Sequence, residues 1–228
     1  MAKTFPSFPS DLRFGSYFAY PGARVAEQAT DPASARKCRN LILAVKQDAV
    51  SPAHAPLTLI QVWIRQLAAV VSDTVLTSLL ERSATLIPMP RSSPLLRRSV
   101  WPALRLADAM VEHGLGGEVL PCLERLKAVP KAALSRPGEG PTALDHYESL
   151  AITLVPGMPE KAILVDDVVT RGAMFGGAFA KLTEVLGSTE IIGAFAFART
   201  VQTFDRAIDP CVGRIACSRS GDHSTRTP

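Results

Sequence analysis

The stretch Lys161-Ala-Ile-Leu-Val-Asp-Asp-Val-Val-Thr-Arg-Gly-Ala-Met174 decides how this chain is read. Ile163, Leu164 and Val165 form an apolar run without alternation, as in a central strand of a parallel sheet covered on both faces. Two adjacent carboxylates follow, Asp166 and Asp167, then a short loop with Gly172, then a helix that opens around Met174. Ligands of such sheets bind beyond the carboxyl ends of the strands, where this pair of acids falls. The loop adds backbone N–H groups and a helix N-terminus, which suit a phosphate. The acids suit hydroxyls or a metal. A phosphorylated sugar satisfies both halves at once.

Working outward, Leu150 to Val155 reads as a strand returning to the sheet. Met174 to Leu186 reads as a helix ended by Gly187, and Glu190 to Ala198 as the next strand. Upstream, Thr85 to Pro90 is a short strand broken by prolines, and Glu118 to Leu123 another strand. A helix runs between them from about Ser99 to His113, with Pro102 tolerated in its first turn. Such alternation implies a parallel sheet with right-handed crossovers. Leu57 to Leu80 carries apolar residues at helical spacing, from Ile60, Trp63, Ile64 and Leu67 to Val75 and Leu79. Phe14 to Tyr20 reads as a strand with Leu41 to Lys46 as its hairpin partner. Arg125 to Leu144 reads as a mobile excursion rich in Pro, Gly, Lys and Arg, and Ser218 to Pro228 as a short frayed tail. The expected architecture is α/β, a twisted parallel sheet flanked by helices with a small N-terminal hood. Residues 1–50 supply the hood, 51–205 the main domain, and 206–228 a C-terminal extension and tail.

The Asp166–Met174 segment closely resembles the 5-phosphoribosyl-1-pyrophosphate (PRPP) motif of type I phosphoribosyltransferases. That resemblance implies that Asp166 and Asp167 hold the ribose hydroxyls, while Thr170, Arg171, Gly172, Ala173 and Met174 wrap the 5′-phosphate. It implies Mg²⁺ as cofactor, carried by PRPP with Asp166 and Asp167 in reach. Two positions depart from the family pattern. Many members have Thr where Arg171 stands and Thr or Ser where Met174 stands. Met174 removes a hydroxyl donor, and Arg171 either compensates with its charge or points to solvent. Thr170 replaces the carboxylate that purine-salvage members carry, which disfavours hypoxanthine or guanine as acceptor.

Ile87-Pro-Met-Pro90 is followed by Arg91, Arg97 and Arg98. In the family the loop after this strand binds pyrophosphate, which needs several cationic donors for its roughly three charges. The alternative is a solvated basic turn. The succession of Pro-x-Pro strand, Arg-rich loop, Lys/Arg/Pro excursion and Val-Asp-Asp-Val-Val-Thr is most similar to the competence-associated ComF group. Ala44-Val45-Lys46 is similar to that group's apolar run ending in Leu-Lys, and the excursion from Lys127 to Ser135 to its segment with Pro-Gln and Leu-Ser, Lys131 standing in place of the Gln. The group's N-terminal zinc ribbon has no counterpart here, because Cys38 is the sole cysteine before Cys122. Lys127 and Lys131 fall where relatives close a lid over the site, or on a plain polar loop. Arg199 falls where relatives contact the base, or at a surface strand end.

Composition narrows the classes further. With 47% hydrophobic and 20% charged residues among 228, the chain buries one substantial core. A formal charge of +4 and a pI near 9.0 suit small polyanions and do not mark DNA binding. Aromatic residues are 6%, with no basic and aromatic interleaving of the kind that stacks single strands. No apolar run reaches the ~18 residues of a membrane span, and Met1 to Ser10 has no signal-peptide core, so a cytoplasmic location is expected. Cys211 and Cys217 are a weak metal signal without a second pair. The expected function is therefore a phosphoribosyltransferase acting on PRPP and a nucleobase or other small acceptor. The alternative is a non-catalytic PRPP or nucleotide binder serving DNA uptake, recombination or regulation through partners. A homodimer is among the assemblies the resemblance allows.

Overall fold

The structure, a computed structural model, describes residues 6–95, 99–130, 140–153 and 159–228. Its centre is a seven-stranded sheet in the order β3-β2-β6-β7-β1-β8-β9. These strands are β1 (Leu12–Pro21), β2 (Thr85–Pro88), β3 (Glu118–Val119), β6 (Lys161–Val169), β7 (Glu190–Val201), β8 (Ile208–Cys217) and β9 (Ser224–Thr227). From β3 to β1 every pairing is parallel, and β8 and β9 add antiparallel strands beside β1. β4 (Leu123–Arg125) and β5 (Leu150–Ile152) form a separate antiparallel ribbon. The helices are α1 (Ala23–Gln28), α2 (Pro32–Val45), α3 (Leu59–Val70), α4 (Pro102–Glu112), α5 (Ala143–Ser149) and α6 (Ala173–Val185).

The two faces of the sheet are sorted by the two-residue period of its strands, broken in β1 by a register irregularity between Ser16 and Phe18 that sends Phe14 and Phe18 to opposite faces. Ile163, Val165, Phe195, Phe197 and Phe18 point to one face, where Ile42 of α2, Ile64 of α3 and Met110 of α4 cover them. Phe18 sits between Trp63 and Phe197, with ring centroids 4.9 and 4.8 Å away. Ala162, Leu164, Ala194, Ala196 and Phe14 point to the other face, under Phe175 and Leu182 of α6. There small residues let helices approach closely: a Cβ at Gly177 would lie 2.6 Å from the Ala143 carbonyl of α5.

This sorting fixes where a ligand belongs. The β2-α4-β3 crossover covers one face and the β6-α6-β7 crossover the other. The chain thus leaves the adjacent strands β2 and β6 in opposite directions. Outside the carboxyl ends of these two strands lies the topological switch point, the place where open α/β sheets form their ligand crevice.

Several expectations are corrected. Leu41–Lys46 is no hairpin strand but the end of α2, whose buried residues Ala35, Cys38, Ile42 and Val45 follow a helical period. Pro32 begins that helix, and Asp31 caps it by accepting from the Ser34 N–H at 3.0 Å. The first fifty residues are not set apart as a hood, since Leu12–Pro21 lies inside the sheet between β7 and β8. The helix expected over 57–80 stops at Val70 and continues as two 3-10 turns, where Thr74 Oγ1 donates to the Val71 carbonyl. Leu150–Ile152 pairs with β4 rather than with the main sheet. The expected tail carries β9, which pairs with β8 from Ser224↔Cys217 to Thr227↔Arg214. The excursion after Arg125 ends in α5, begun by a capping box between Thr142 and Asp145.

Candidate functional site

β6 carries its apolar residues to Val165, whose carbonyl accepts from the Met89 N–H of the β2 loop at 2.8 Å. Asp166 and Asp167 follow at the mouth of the switch-point crevice. The Asp167 N–H donates to Asp166 Oδ1 at 2.8 Å, and Asp167 Oδ1 accepts from Lys46 Nζ at 3.2 Å. Burial pushes the Asp166 carboxyl well above the usual carboxylate range, and the neighbouring charge of Asp167 adds to this against Lys46, the Asp167 N–H and Arg125. Burial works against the charge of Lys46, but Asp167 and then Asp166 outweigh it and hold the ammonium above its ordinary pKa. Two acids thus share one mouth with a cation that already faces them.

The loop that follows is shaped by Gly172, which caps α6 in the left-handed conformation at φ 87°. A Cβ there would also meet Ile215 side-chain atoms at 2.6–2.8 Å. Ala173 begins the 13-residue helix, so its first N–H groups open beside the acids. The Thr170 carbonyl accepts from Arg226 Nε at 2.7 Å, which ties the loop to β9. The side chain of Met174 accepts a hydrogen bond at Sδ from Arg125 Nη2, 3.0 Å away.

Arg125 was not among the residues singled out from sequence. It is buried, and its Nε donates to the Arg91 carbonyl at 3.0 Å. Nη1 donates closely to Ser149 Oγ, and Nη2 also faces His146 Nδ1 at 3.4 Å. No carboxylate bonds it directly among the described residues. Burial lowers its pKa to about 10, with Asp166 acting the other way, so it stays a cation at neutral pH. Its contact with Met174 places a buried cation beside the first turn of α6. The signal for it was positional: in Leu123-Glu124-Arg125 the third residue points inward with Leu123.

His146 is buried, and burial and then Arg125 depress its pKa to about 3, so it stands neutral with Nδ1 accepting. The unfolded chain therefore binds a proton at His146 that the fold refuses between about pH 6.5 and 3. Stability contributed by this residue is full above pH 6.5 and declines as pH falls through that window. His146→Gln is expected to make the acid-side fall in melting temperature shallower, as thermal melts between pH 7 and 4 would record. An unchanged slope would remove His146 as its cause.

The remaining expected residues divide. The exposed Arg91 donates from Nη1 to the Val100 carbonyl at 3.0 Å, and its own carbonyl anchors Arg125. Arg97, Arg98 and Lys131 lie outside the described residues. Lys127 pairs with Glu148 at 3.8 Å on the surface, and nearby the Val129 N–H donates to the Ser92 carbonyl, joining this segment to the β2 loop. Arg199 is not a surface strand-end residue: it is buried and held by a close ion pair to Asp209, by the Asp209 carbonyl at 2.7 Å and by Ser16 Oγ at 3.3 Å. It lines a cleft of about 520 Å³ that also takes in Thr170 and Arg171 of the loop.

Among the described residues no group of three or more His, Cys, Asp or Glu could hold a metal ion. A Mg²⁺ ion that arrives with phosphates needs only one or two carboxylates, and Asp166 with Asp167 offers that donor set. No helix of the described residues is long and apolar enough to cross a membrane. In comparisons with known proteins, no family model and no curated protein matches this chain.

Proposed function

We propose that this protein binds PRPP at the switch-point crevice and transfers its phosphoribosyl group to a small acceptor. One observation carries the reading: the paired carboxylates of Asp166 and Asp167 share the crevice mouth with the Gly172-capped N-terminus of α6. The acids accept hydrogen bonds from the ribose hydroxyls. The backbone N–H groups from Thr170 to Met174 hold the 5′-phosphate, with the Arg125 charge behind them. The diphosphate lies toward the β2 loop, where Arg91 is the described cation and Arg97 and Arg98 follow it in the sequence. Asp166 and Asp167 would hold a Mg²⁺ ion carried in by PRPP, which would supply neutralisation of the pyrophosphate charge. Lys46 orients Asp167 through their 3.2 Å contact. The protein contributes positioning and fixed charge rather than a general base.

A second reading, a PRPP or nucleotide binder without turnover, is favoured by the Lys46–Asp167 pair, which already occupies one of the two acids. Release of pyrophosphate from PRPP, followed with a panel of nucleobases and related ring acceptors, separates the two. Turnover with any acceptor supports transfer. A PRPP-dependent melting shift without turnover supports the binder, and neither signal removes both.

A further inference from the structure

The cleft of about 520 Å³ is walled by Arg171, Arg199, Arg206 and Arg226, with Asp205 and Asp209 as its acidic side chains and the last residue, Pro228, at its edge. These charges are unevenly matched. Asp209 is engaged twice, by Arg199 in a close ion pair and by Arg206 at 3.4 Å. Asp205 is exposed and pairs with no cation among the described residues. Arg226 is fixed entirely by neutral groups: Nε donates to the Thr170 carbonyl at 2.7 Å, Nη2 to the Thr200 carbonyl at 2.6 Å, and Cζ lies over the Phe14 ring, 5.4 Å from its centroid. Its Nη1 has no partner among the described residues, and neither has the guanidinium of Arg171. Burial, and then the like charge of Arg199, depress the Arg226 pKa, so the fold holds a cation there against both effects.

A guanidinium locked in orientation, with one edge open to a cleft and a second unpaired arginine on the same wall, matches a carboxylate. The volume is that of a small-molecule site. Thr170 and Arg171 belong both to this wall and to the loop beside the acids, so a ligand here abuts the sugar site.

We propose that the acceptor is a small planar nitrogen ring bearing a carboxylate, and that Arg226 and Arg171 receive that carboxylate. The acceptor role rests on the phosphoribosyl-transfer reading; the anion site rests on the cleft alone. In the transfer, the bond from C1 to the pyrophosphate oxygen breaks, with its electron pair leaving on pyrophosphate. A ring-nitrogen lone pair forms the new bond to C1, and any proton on that nitrogen passes to solvent.

Calorimetric titration of the full chain, with and without saturating PRPP, would use matched pairs: uracil-6-carboxylate against uracil, and pyridine-3-carboxylate against pyridine-3-carboxamide. In at least one pair the charged member is expected to bind about tenfold or more tightly than its neutral counterpart, as a charge-assisted hydrogen bond does. Arg226→Gln should weaken that binding about tenfold, while Asp205→Asn, which removes an exposed acid from the wall, should tighten it about twofold. Opposite signs cannot both come from a folding defect. Equal binding within both pairs, no binding by either carboxylate, or competition by inorganic phosphate at the same affinity would overturn the proposal. A PRPP melting shift without carboxylate binding would leave phosphoribosyl transfer standing and sink this inference alone. Carboxylate binding without any PRPP shift would sink the transfer reading, and the acceptor role with it.

Discussion

Asp166→Asn combined with Asp167→Asn is expected to abolish the melting shift produced by PRPP and Mg²⁺ while leaving a folded protein. A ligand held at a hundred times its dissociation constant stabilises by about 2.7 kcal/mol. For a chain of this length that is roughly 5–10 °C, all of which should vanish. The physical reason is that both carboxylates face the crevice and few other groups there accept hydroxyl protons. Asp166→Asn alone carries a second signature. Its carboxyl titrates above the ordinary value of 3.8 in the fold, so folding takes up a proton there. The stability tied to that proton is present at acid pH and lost as pH rises through the folded value. The Asn variant escapes this loss and should melt at or above the parent at pH 8. A lower melting point at pH 8, or a surviving PRPP shift in the double variant, would contradict the assignment.

Arg125→Met is expected to weaken PRPP and ribose 5-phosphate together, by about tenfold to a hundredfold, the range of a charged hydrogen bond or two. Methionine keeps most of the side-chain volume but removes the charge beside the first turn of α6. It also leaves the Arg91 carbonyl, Ser149 and His146 without their donor, which should cost the free protein roughly 2–4 kcal/mol. Arg125→Lys should recover part of the affinity, because a lysine restores the charge without the planar fork. Equal affinities in all three proteins would detach Arg125 from the ligand and leave it a purely structural residue.

The motif from Lys161 to Met174 was legible because it is local: strand, acids, turn and helix start all lie within fourteen residues. The Gly172 turn and α6 stand where the pattern puts them, while β6 runs four residues past the apolar run to Val169, so that both acids lie within the strand rather than after it. What could not be read locally is who faces the acids. Lys46 reaches Asp167 from 121 residues away, and Arg125 reaches Met174 from 49. Such contacts depend on how α2 and β4 pack and leave no periodic trace. The first fifty residues misled for a related reason. Leu41–Lys46 is apolar enough for a strand over six residues, and only the longer window from Ala35 to Val45 reveals the helix. The C-terminal residues misled through composition. Ser224-Thr-Arg-Thr227 is polar because β9 lies at the sheet edge, where polar residues are ordinary.

The position of β1 sets an order on how this molecule can assemble during synthesis. Its parallel partner β7 begins about 170 residues later in the chain, and its antiparallel partner β8 later still. At about 5–20 residues per second, the ribosome delivers those partners roughly ten to thirty seconds after β1 has emerged. During that interval Phe14, Tyr17 and Phe18 have no sheet to join, and only nearby segments such as α1 and α2 can shelter them. The aromatic residues that later fill the centre of the fold thus form an exposed sticky segment of the nascent chain for that whole interval, a stretch on which a holding chaperone would act.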